Sequence, residues 1–251
     1  MKWDARLYDT GHSFVSKYGE EVVSLLNPRP GENILDVGCG TGDLANLIAQ
    51  SGAYIEGIDA SEEMITKAKE KFPAMSFRVA DITRYEKPGF YDAIFSNATL
   101  HWIQEKEQAA QKIYANLKAG GRFVLEMGGK GNVAEIIKAI KHSLEKYGHA
   151  EKITQRQWYF PSIGEYATVL ESVGFRVRYA IHFDRETLLE SSNGIKDWIR
   201  MFGKDFLQGI DESITEAILT ETENLLKPTR YYNNKWYADY KRLRMVATKE
   251  F

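Results

Sequence analysis

Five apolar runs, NILDVG, AYIEGID, MSFRVAD, YDAIFSN and GRFVLEM, recur through the first half of the chain, each bounded by turn-forming residues and each short enough to be a buried strand. Helical spacing fills the gaps between them. Leu44, Leu47 and Ile48 share one face, Met64, Ala68 and Phe72 another, and Ala109, Ile113 and Leu117 a third. A strand, a helix and a second strand in succession close as a parallel pair through a right-handed crossover. The rhythm therefore predicts an α/β fold: a doubly wound, Rossmann-like, mostly parallel sheet with helices on both faces.

After Met127 the rhythm loosens. Val133, Ile136, Ile137, Ile140 and Leu144 mark a helix, EKITQRQWYFP reads as loop, and SIGEYATVLESVG returns to a helix ended by Gly174. FRVRYAIHF alternates, with Phe175, Val177, Tyr179, Ile181 and Phe183 on one face, which suits a strand near a sheet edge that is wet on one side. Glu186 to Lys227 reads as helical and too long for a crossover, before a last strand around LRMVATKE. That insertion is expected to form part of a lid.

The stretch ILDVGCGTGD, Ile34 to Asp43, places three glycines at alternate positions where the first strand meets its helix, which is where open α/β sheets bind ligands. Gly38 and Gly40 begin the dinucleotide pattern G-x-G-x-x-G, but Asp43 stands where its third glycine belongs. A diphosphate at that helix start would also meet the carboxylates of Asp36 and Asp43. A ligand with cationic groups suits the loop better, and S-adenosylmethionine, with an ammonium and a sulfonium in place of the diphosphate, resolves the mismatch. Cys39 is expected to be a small buried residue behind the loop, without a nucleophilic role.

These residues resemble the class I S-adenosylmethionine-dependent methyltransferases, whose first motif is similar to LDVGCGTG at Leu35 to Gly42. The resemblance implies further cofactor contacts. Asp59, with Ala60 after it in YIEGIDAS, would accept from the ribose hydroxyls, although it could instead cap the next helix, a role open to Ser61 too. Asp81 and Ile82 in VADIT would meet the adenine, and Asn97 in FSNATLHW would face the methionine end and the acceptor. With Asp36, Gly38 and Gly40 these make up the expected cofactor site. WDARLY at Trp3 to Tyr8, SNATLHWI, YFPSIGEYATVLESVGF and KDWIRMF extend the likeness to the trans-aconitate 2-methyltransferase-like group. A single methyltransferase domain over 1–251 follows, with an N-terminal arm at 1–30, a cofactor-binding core at 31–130, helices, edge strand and lid insertions at 131–235, and the last strand at 236–251.

Methyl transfer from a sulfonium is an in-line displacement, so the protein's work is positioning, exclusion of water and removal of a proton where the acceptor holds one. His101, beside Trp102 and just past Asn97, could orient an acceptor or take its proton, or simply cap a helix or lie at the surface; these two are the candidate catalytic residues. Tyr8, His12, Trp158 and Arg200 are candidate substrate contacts, and Arg156, Arg200 and Lys130 are cations available to an acid. Trp198 and Trp236 are expected to anchor lid helices. The five histidines show no metal-ligand spacing, and no metal site is expected. SNAT lacks the box that amide and DNA-base methyltransferases carry there.

The acceptor expected is a small molecule, first a carboxylate such as trans-aconitate or a related acid. A carrier-bound acid, a hydroxyl or amine acceptor, or a non-catalytic cofactor-binding partner protein are the alternatives. A net charge of −2 offers no basic field for nucleic acid, and YKRLR near the C-terminus reads as a local cluster. One cysteine, no signal-peptide core and no membrane-spanning run lead to the expectation of a cytoplasmic protein without a membrane partner. The sequence leaves the oligomeric state open.

Overall fold

The computed structural model describes residues 14–154, 158–191 and 193–251. Helix α1 (Phe14–Leu26) is followed by β1 (Asn33–Val37), α2 (Asp43–Ala49), β2 (Tyr54–Asp59), α3 (Glu62–Lys71), β3 (Ser76–Val79), β4 (Tyr91–Asn97), α4 (Lys106–Asn116) and β5 (Leu117–Gly128). The second half holds α5 (Ala134–Lys146), α6 (Ile163–Ser172), β6 (Phe175–Leu189), α7 (Ile195–Phe202), α8 (Lys204–Leu207), α9 (Glu212–Arg230), β7 (Tyr231–Tyr232) and β8 (Lys235–Lys249). The sheet runs β3-β2-β1-β4-β5-β8-β6, with β7 paired to β8. β1 to β5 pair in parallel, while β8 runs antiparallel to both β5 and β6. This is the mostly parallel, doubly wound sheet that the strand–helix rhythm predicts. Among the described residues no helix is long and apolar enough to cross a membrane.

Both faces of the sheet are covered by amphipathic helices. On one side Val22, Val23 and Leu26 of α1 join Ile48 of α2 over Ile34, Phe95 and Val124. On the other, Ile113 of α4 and Tyr166 and Leu170 of α6 close over Leu35, Ile94, Phe123 and Met245. Full burial of such side chains stabilises the fold by about 1.5–3 kcal/mol each. A third apolar cluster lies off the sheet body: Ile136, Ile140 and Leu144 of α5, Trp198 and Ile199 of α7, and Ile218 and Leu219 of α9 pack with Leu189 and Trp236.

That third cluster is where the chain departs from the sequence expectation. β6 runs on to Leu189 instead of yielding to helix at Glu186, and β8 begins at Lys235 rather than near Leu243. β5 and β8 stop pairing at Gly128↔Arg242, whereas β6 and β8 continue to Leu189↔Trp236. The two strands thus run past β5 as a ribbon that carries α7 to α9 at its end. Charged Asp184, Arg185 and Glu186 interrupt the apolar alternation and hide this extension from a pattern search. A register shift between Val177 and Tyr179 adds a second departure. Because side chains alternate faces, one extra residue inverts the face of everything beyond it, and Tyr179 and Ile181 end up exposed. Asn233 and Asn234, both at positive φ, make the tight turn from β7 into β8.

Candidate active site

A cavity of about 360 Å³ opens at the carboxyl ends of β1, β2 and β4 and continues under the lid. Gly38, Gly40, Asp59, Ala60, Asp81, Ile82, Asn97, His101, Trp102 and Trp158 all line it. Asp36 lies beneath the glycine loop, 2 % exposed. Tyr8, His12 and Arg156 lie outside the described residues.

The glycine loop is pinned from below and open above. Gly38 N–H and Cys39 N–H both donate to Ile58 O, at 2.7 and 3.0 Å, which ties the loop to the end of β2. The two glycines serve different purposes. A Cβ on Gly38 would lie 2.0 Å from Thr99 Oγ1, so that glycine is needed for packing, whereas a Cβ on Gly40 would meet nothing within 4 Å and would enter the space a ligand needs. Both sit at positive φ. Cys39 is buried against Gly57 and Phe77, and burial pushes its thiol pKa up. It is a packing residue, not a nucleophile.

Asp59 takes one backbone N–H on each carboxylate oxygen, Gly40 N–H on Oδ2 at 3.1 Å and Ser61 N–H on Oδ1 at 2.8 Å. Ser61, not Asp59, caps α3, accepting Met64 N–H on its hydroxyl at 3.3 Å. Asp59 therefore braces the glycine loop and keeps lone pairs for two further donors. Asp81 receives Thr83 N–H and Thr83 O–H on the same oxygen, Oδ1, and buried Ile82 floors the cavity next to it. The Asp36 carboxyl has no hydrogen-bond partner at Oδ2 among the described residues. Burial, and then the charge of Asp59, push its pKa up to about 8. Asp43, by contrast, turns away from the cavity to Lys71, at 2.5 Å.

An orphaned buried carboxylate oxygen, a second carboxylate with lone pairs to spare and bare backbone at Gly40 form a donor-hungry, cation-friendly cradle. It fits an adenosine carrying an ammonium and a sulfonium and does not fit a diphosphate. The cationic side chains that line the cavity among the described residues, Arg185 and Arg242, are at its other end.

That other end escaped the sequence reading. Glu126 on β5, 1 % exposed, accepts both Nη groups of Arg185 at 2.6 and 3.1 Å, Arg242 Nε at 3.2 Å and Arg244 Nε at 2.9 Å. Burial alone would raise the Glu126 pKa, but Arg242, Arg185 and Arg244 hold it below the usual carboxylate range. Arg244 also pairs with Glu21 of α1 at 3.0 Å. Among the described residues the two Nη groups of Arg242 make no hydrogen bond, and its guanidinium lies over the Tyr240 ring at 5.6 Å. One signal was present: Arg242 and Arg244 alternate with Leu243 and Met245 in YKRLRM, so they share a strand face.

His101 is buried, and its Nδ1 accepts Gly128 N–H at 3.3 Å. Burial, followed by the charge of Arg242, pushes its pKa well below the ordinary imidazole range. It is a neutral imidazole whose proton sits on Nε2. Ala98, in the turn just before it, holds a positive φ of 57° with its N–H donating to Glu126 O at 2.8 Å, a strained backbone at the point where the two ends of the cavity meet.

Arg200 requires correction. It pairs with Glu212 at 2.8 Å and with Glu216, on the outer side of the lid, and does not line the cavity. Trp198 and Phe202, four residues apart on α7, do line it, and Arg200 is rotated about 200° from Trp198 around the helix. Lys130 is exposed and lines nothing. Trp236 is buried in the lid core, where it packs on Gly194.

A model of the methyltransferase domain matches residues 28–174, more than half of the chain. An uncharacterized methyltransferase of Schizosaccharomyces pombe (strain 972 / ATCC 24843) is 33 % identical over 99 % of this chain and 98 % of its own length. The trans-aconitate 2-methyltransferase of Delftia acidovorans (strain DSM 14801 / SPH-1) is 29 % identical over 89 % of each. Among solved structures, the Haemonchus contortus phosphoethanolamine N-methyltransferase 2, in complex with phosphomonomethylethanolamine and S-adenosylhomocysteine, superposes with a TM-score of 0.58 at 20 % identity. The alignment covers 94 % of this chain and 53 % of that one. Domain match, full-length relative and a cradle shaped for a sulfonium agree, and the chain belongs to the S-adenosylmethionine-dependent methyltransferases of class I.

Proposed function

We propose that this methyltransferase esterifies a carboxylate of a small molecule. The observation that supports it is the cluster on Glu126: Arg185, Arg242 and Arg244 face the carboxylates of Glu126 and Glu21, which leaves one positive charge. A buried surplus cation calls for an anion, and the two Nη groups of Arg242 offer the fork that grips a carboxylate. The relative from Delftia acidovorans is named for an acid of this kind.

In this reading the residues divide the work. Glu126 fixes the planes of the arginines, and the Nη fork of Arg242 holds the acceptor carboxylate, one of whose oxygens keeps a lone pair toward the methyl. His101 donates its Nε2 proton to the acceptor and removes nothing. The lid and the aromatic residues under it exclude water, which strengthens each of these contacts. Once bound, the cofactor would supply an electrophilic methyl on sulfur, which a carboxylate lone pair would take up as a new O–C bond, with the C–S bonding pair left on sulfur as a neutral thioether. A carboxylate is ionised at neutral pH, so no base is required.

The test is the chemistry of the product. Protein incubated with methyl-labelled cofactor and a panel of acids, phenols and amines should label an acid. The label should be released as methanol in mild alkali, as an ester releases it. An alkali-stable product labelled on oxygen or nitrogen, with no acid labelled, overturns the reading.

A further inference from the structure

The carboxylate reading leaves the rest of the acceptor unnamed, and the walls around Arg242 define it. Five aromatic residues that line the cavity, Trp102, Trp158, Phe160, Phe202 and Tyr240, are only partly buried, so ring surface is left facing the space. A ring that serves packing alone is buried, as Trp236, which does not line the cavity, is at 8 % exposure. The rings come from separate parts of the fold yet form one wall. Trp102 meets Trp158 edge-on at 5.7 Å, Trp158 stacks on Phe160 at 5.7 Å with 15° between planes, and Trp158 reaches Trp198 of the lid at 6.3 Å. Trp198 in turn packs on Phe202 at 5.4 Å and donates its Nε1 proton to Tyr240 Oη at 2.7 Å.

Charge limits the acceptor from the other side. Arg185 and Arg242 are the cations lining the cavity among the described residues, and the Glu126 carboxylate lies between them. Arg185 already gives both Nη groups to Glu126. A tricarboxylate would satisfy one carboxylate at Arg242 and press the other two against aromatic rings and Glu126, where a desolvated charge is costly. A monoacid places its single charge at Arg242 and everything else against the rings.

We infer that the acceptor is a monocarboxylic acid with a flat, apolar body, aryl or conjugated, held between the rings under the lid with its carboxylate on Arg242. The inference rests on the carboxylate reading and narrows it.

Three acids sharing a conjugated carboxylate decide it: (E)-3-phenylpropenoate, (E)-but-2-enoate and trans-aconitate, each compared by kcat/KM for ester formation. The phenyl acid should exceed both others by about a hundredfold, the scale on which an apolar pocket discriminates groups that differ by several carbons. Trp158→Ala should cut kcat/KM for the phenyl acid far more than for but-2-enoate and so erase that preference, and Trp158→Phe should restore most of it. Phe202→Ala, at the lid edge of the wall, gives the same readout if Trp158→Ala fails to bind cofactor. Preference for trans-aconitate, or equal rates for the three acids, overturns the inference and leaves the carboxylate reading standing. Labelling confined to a phenol or an amine overturns both. If none of the acids is esterified, calorimetry on the protein loaded with S-adenosylhomocysteine decides, and tighter binding of trans-aconitate than of the phenyl acid, or no binding of the phenyl acid, overturns it.

Discussion

At one end of the cavity, the proposed cofactor end, Gly38, Gly40, Asp59, Asp81 and Asn97 each follow or end a parallel strand, and they offer bare backbone, two carboxylates and an amide. At the acceptor end, Glu126, Arg185 and Arg242 sit on three strands brought side by side by the antiparallel pairing of β8 with β5 and β6. There one buried acid orients several arginines under a wall of rings contributed partly by α7. The first end is preformed by the sheet itself. The second depends on a ribbon and a lid added to the sheet, and so it can change its ligand without disturbing the first. Substitutions should therefore separate into those that change cofactor affinity alone and those that change the acceptor KM alone.

The largest effect tests the cofactor end. Gly40→Val places a branched side chain in the open space over the loop at a φ of +54°, and should abolish S-adenosylmethionine binding in calorimetry; Gly40→Ala, which carries the backbone strain of a positive φ with a smaller group, is the control and should keep more of the binding. Gly38→Ala, two residues away, should lower the transition temperature more than Gly40→Ala does, because its methyl also strikes Thr99. Cofactor bound with the parent's affinity by a folded Gly40→Val variant would mean that the open space is not a ligand site.

At the acceptor end, Arg242→Ala should raise the acceptor KM by the equivalent of about 2–5 kcal/mol, the cost of truncating one partner of a buried charge contact. Cofactor affinity should not move. The fold should survive, since Glu126 keeps Arg185 and Arg244. A matching loss of cofactor affinity would break the separation of the two ends.

Asp59→Ala should weaken the cofactor by about 1.5–3 kcal/mol, the range for hydrogen bonds to a charged group. Asp81→Asn should cost less, because an amide oxygen still accepts. Equal affinity in the parent and the Asp59 variant would remove Asp59 from the ribose.

A smaller effect follows from Asp36. Its pKa near 8 means that the protein without cofactor holds a proton there at neutral pH, and a cationic ligand above it favours the ionised form. The complex then binds fewer protons than the free protein, so affinity rises with pH up to about 8 and levels off beyond. The gain from pH 7 to 9 is about tenfold. Calorimetry in two buffers of different ionisation enthalpy should register proton release at pH 7, and Asp36→Asn should remove it.

The contrast between the ends also explains what a reader of the sequence can find. The glycine loop is contiguous, and Asp59 and Asp81 follow at strand ends whose apolar runs are unmistakable, so the cofactor end is written locally. Glu126, Arg185 and Arg242 are separated by 59 and 57 residues and meet only through strand pairing, which no local pattern encodes. The bulge after Val177 inverts the faces of β6, and Asp184 and Glu186 disguise its continuation, so Arg185 looks like a turn residue. Arg200 lies two residues from Trp198 in the sequence, but two residues along a helix is nearly the opposite face, and Phe202 is the residue that shares the side of Trp198.

The smallest effect decides what His101 does. Its depressed pKa keeps it neutral above pH 6.5, so turnover should be flat from about pH 6.5 to 8.5 whatever its role, and the profile there does not discriminate. The discriminating variant is His101→Asn, whose amide oxygen can still accept Gly128 N–H in place of Nδ1 while the Nε2 donor is lost. A residue that only donates to the acceptor gives up one neutral hydrogen bond, worth about 0.5–1.5 kcal/mol, so KM should rise a few-fold with kcat nearly intact. A general base contributes about 10²–10⁴ to turnover. A hundredfold fall in kcat for His101→Asn would make His101 a base, turn the acceptor from a carboxylate into a hydroxyl or an amine, and leave Arg242 to bind some other part of it.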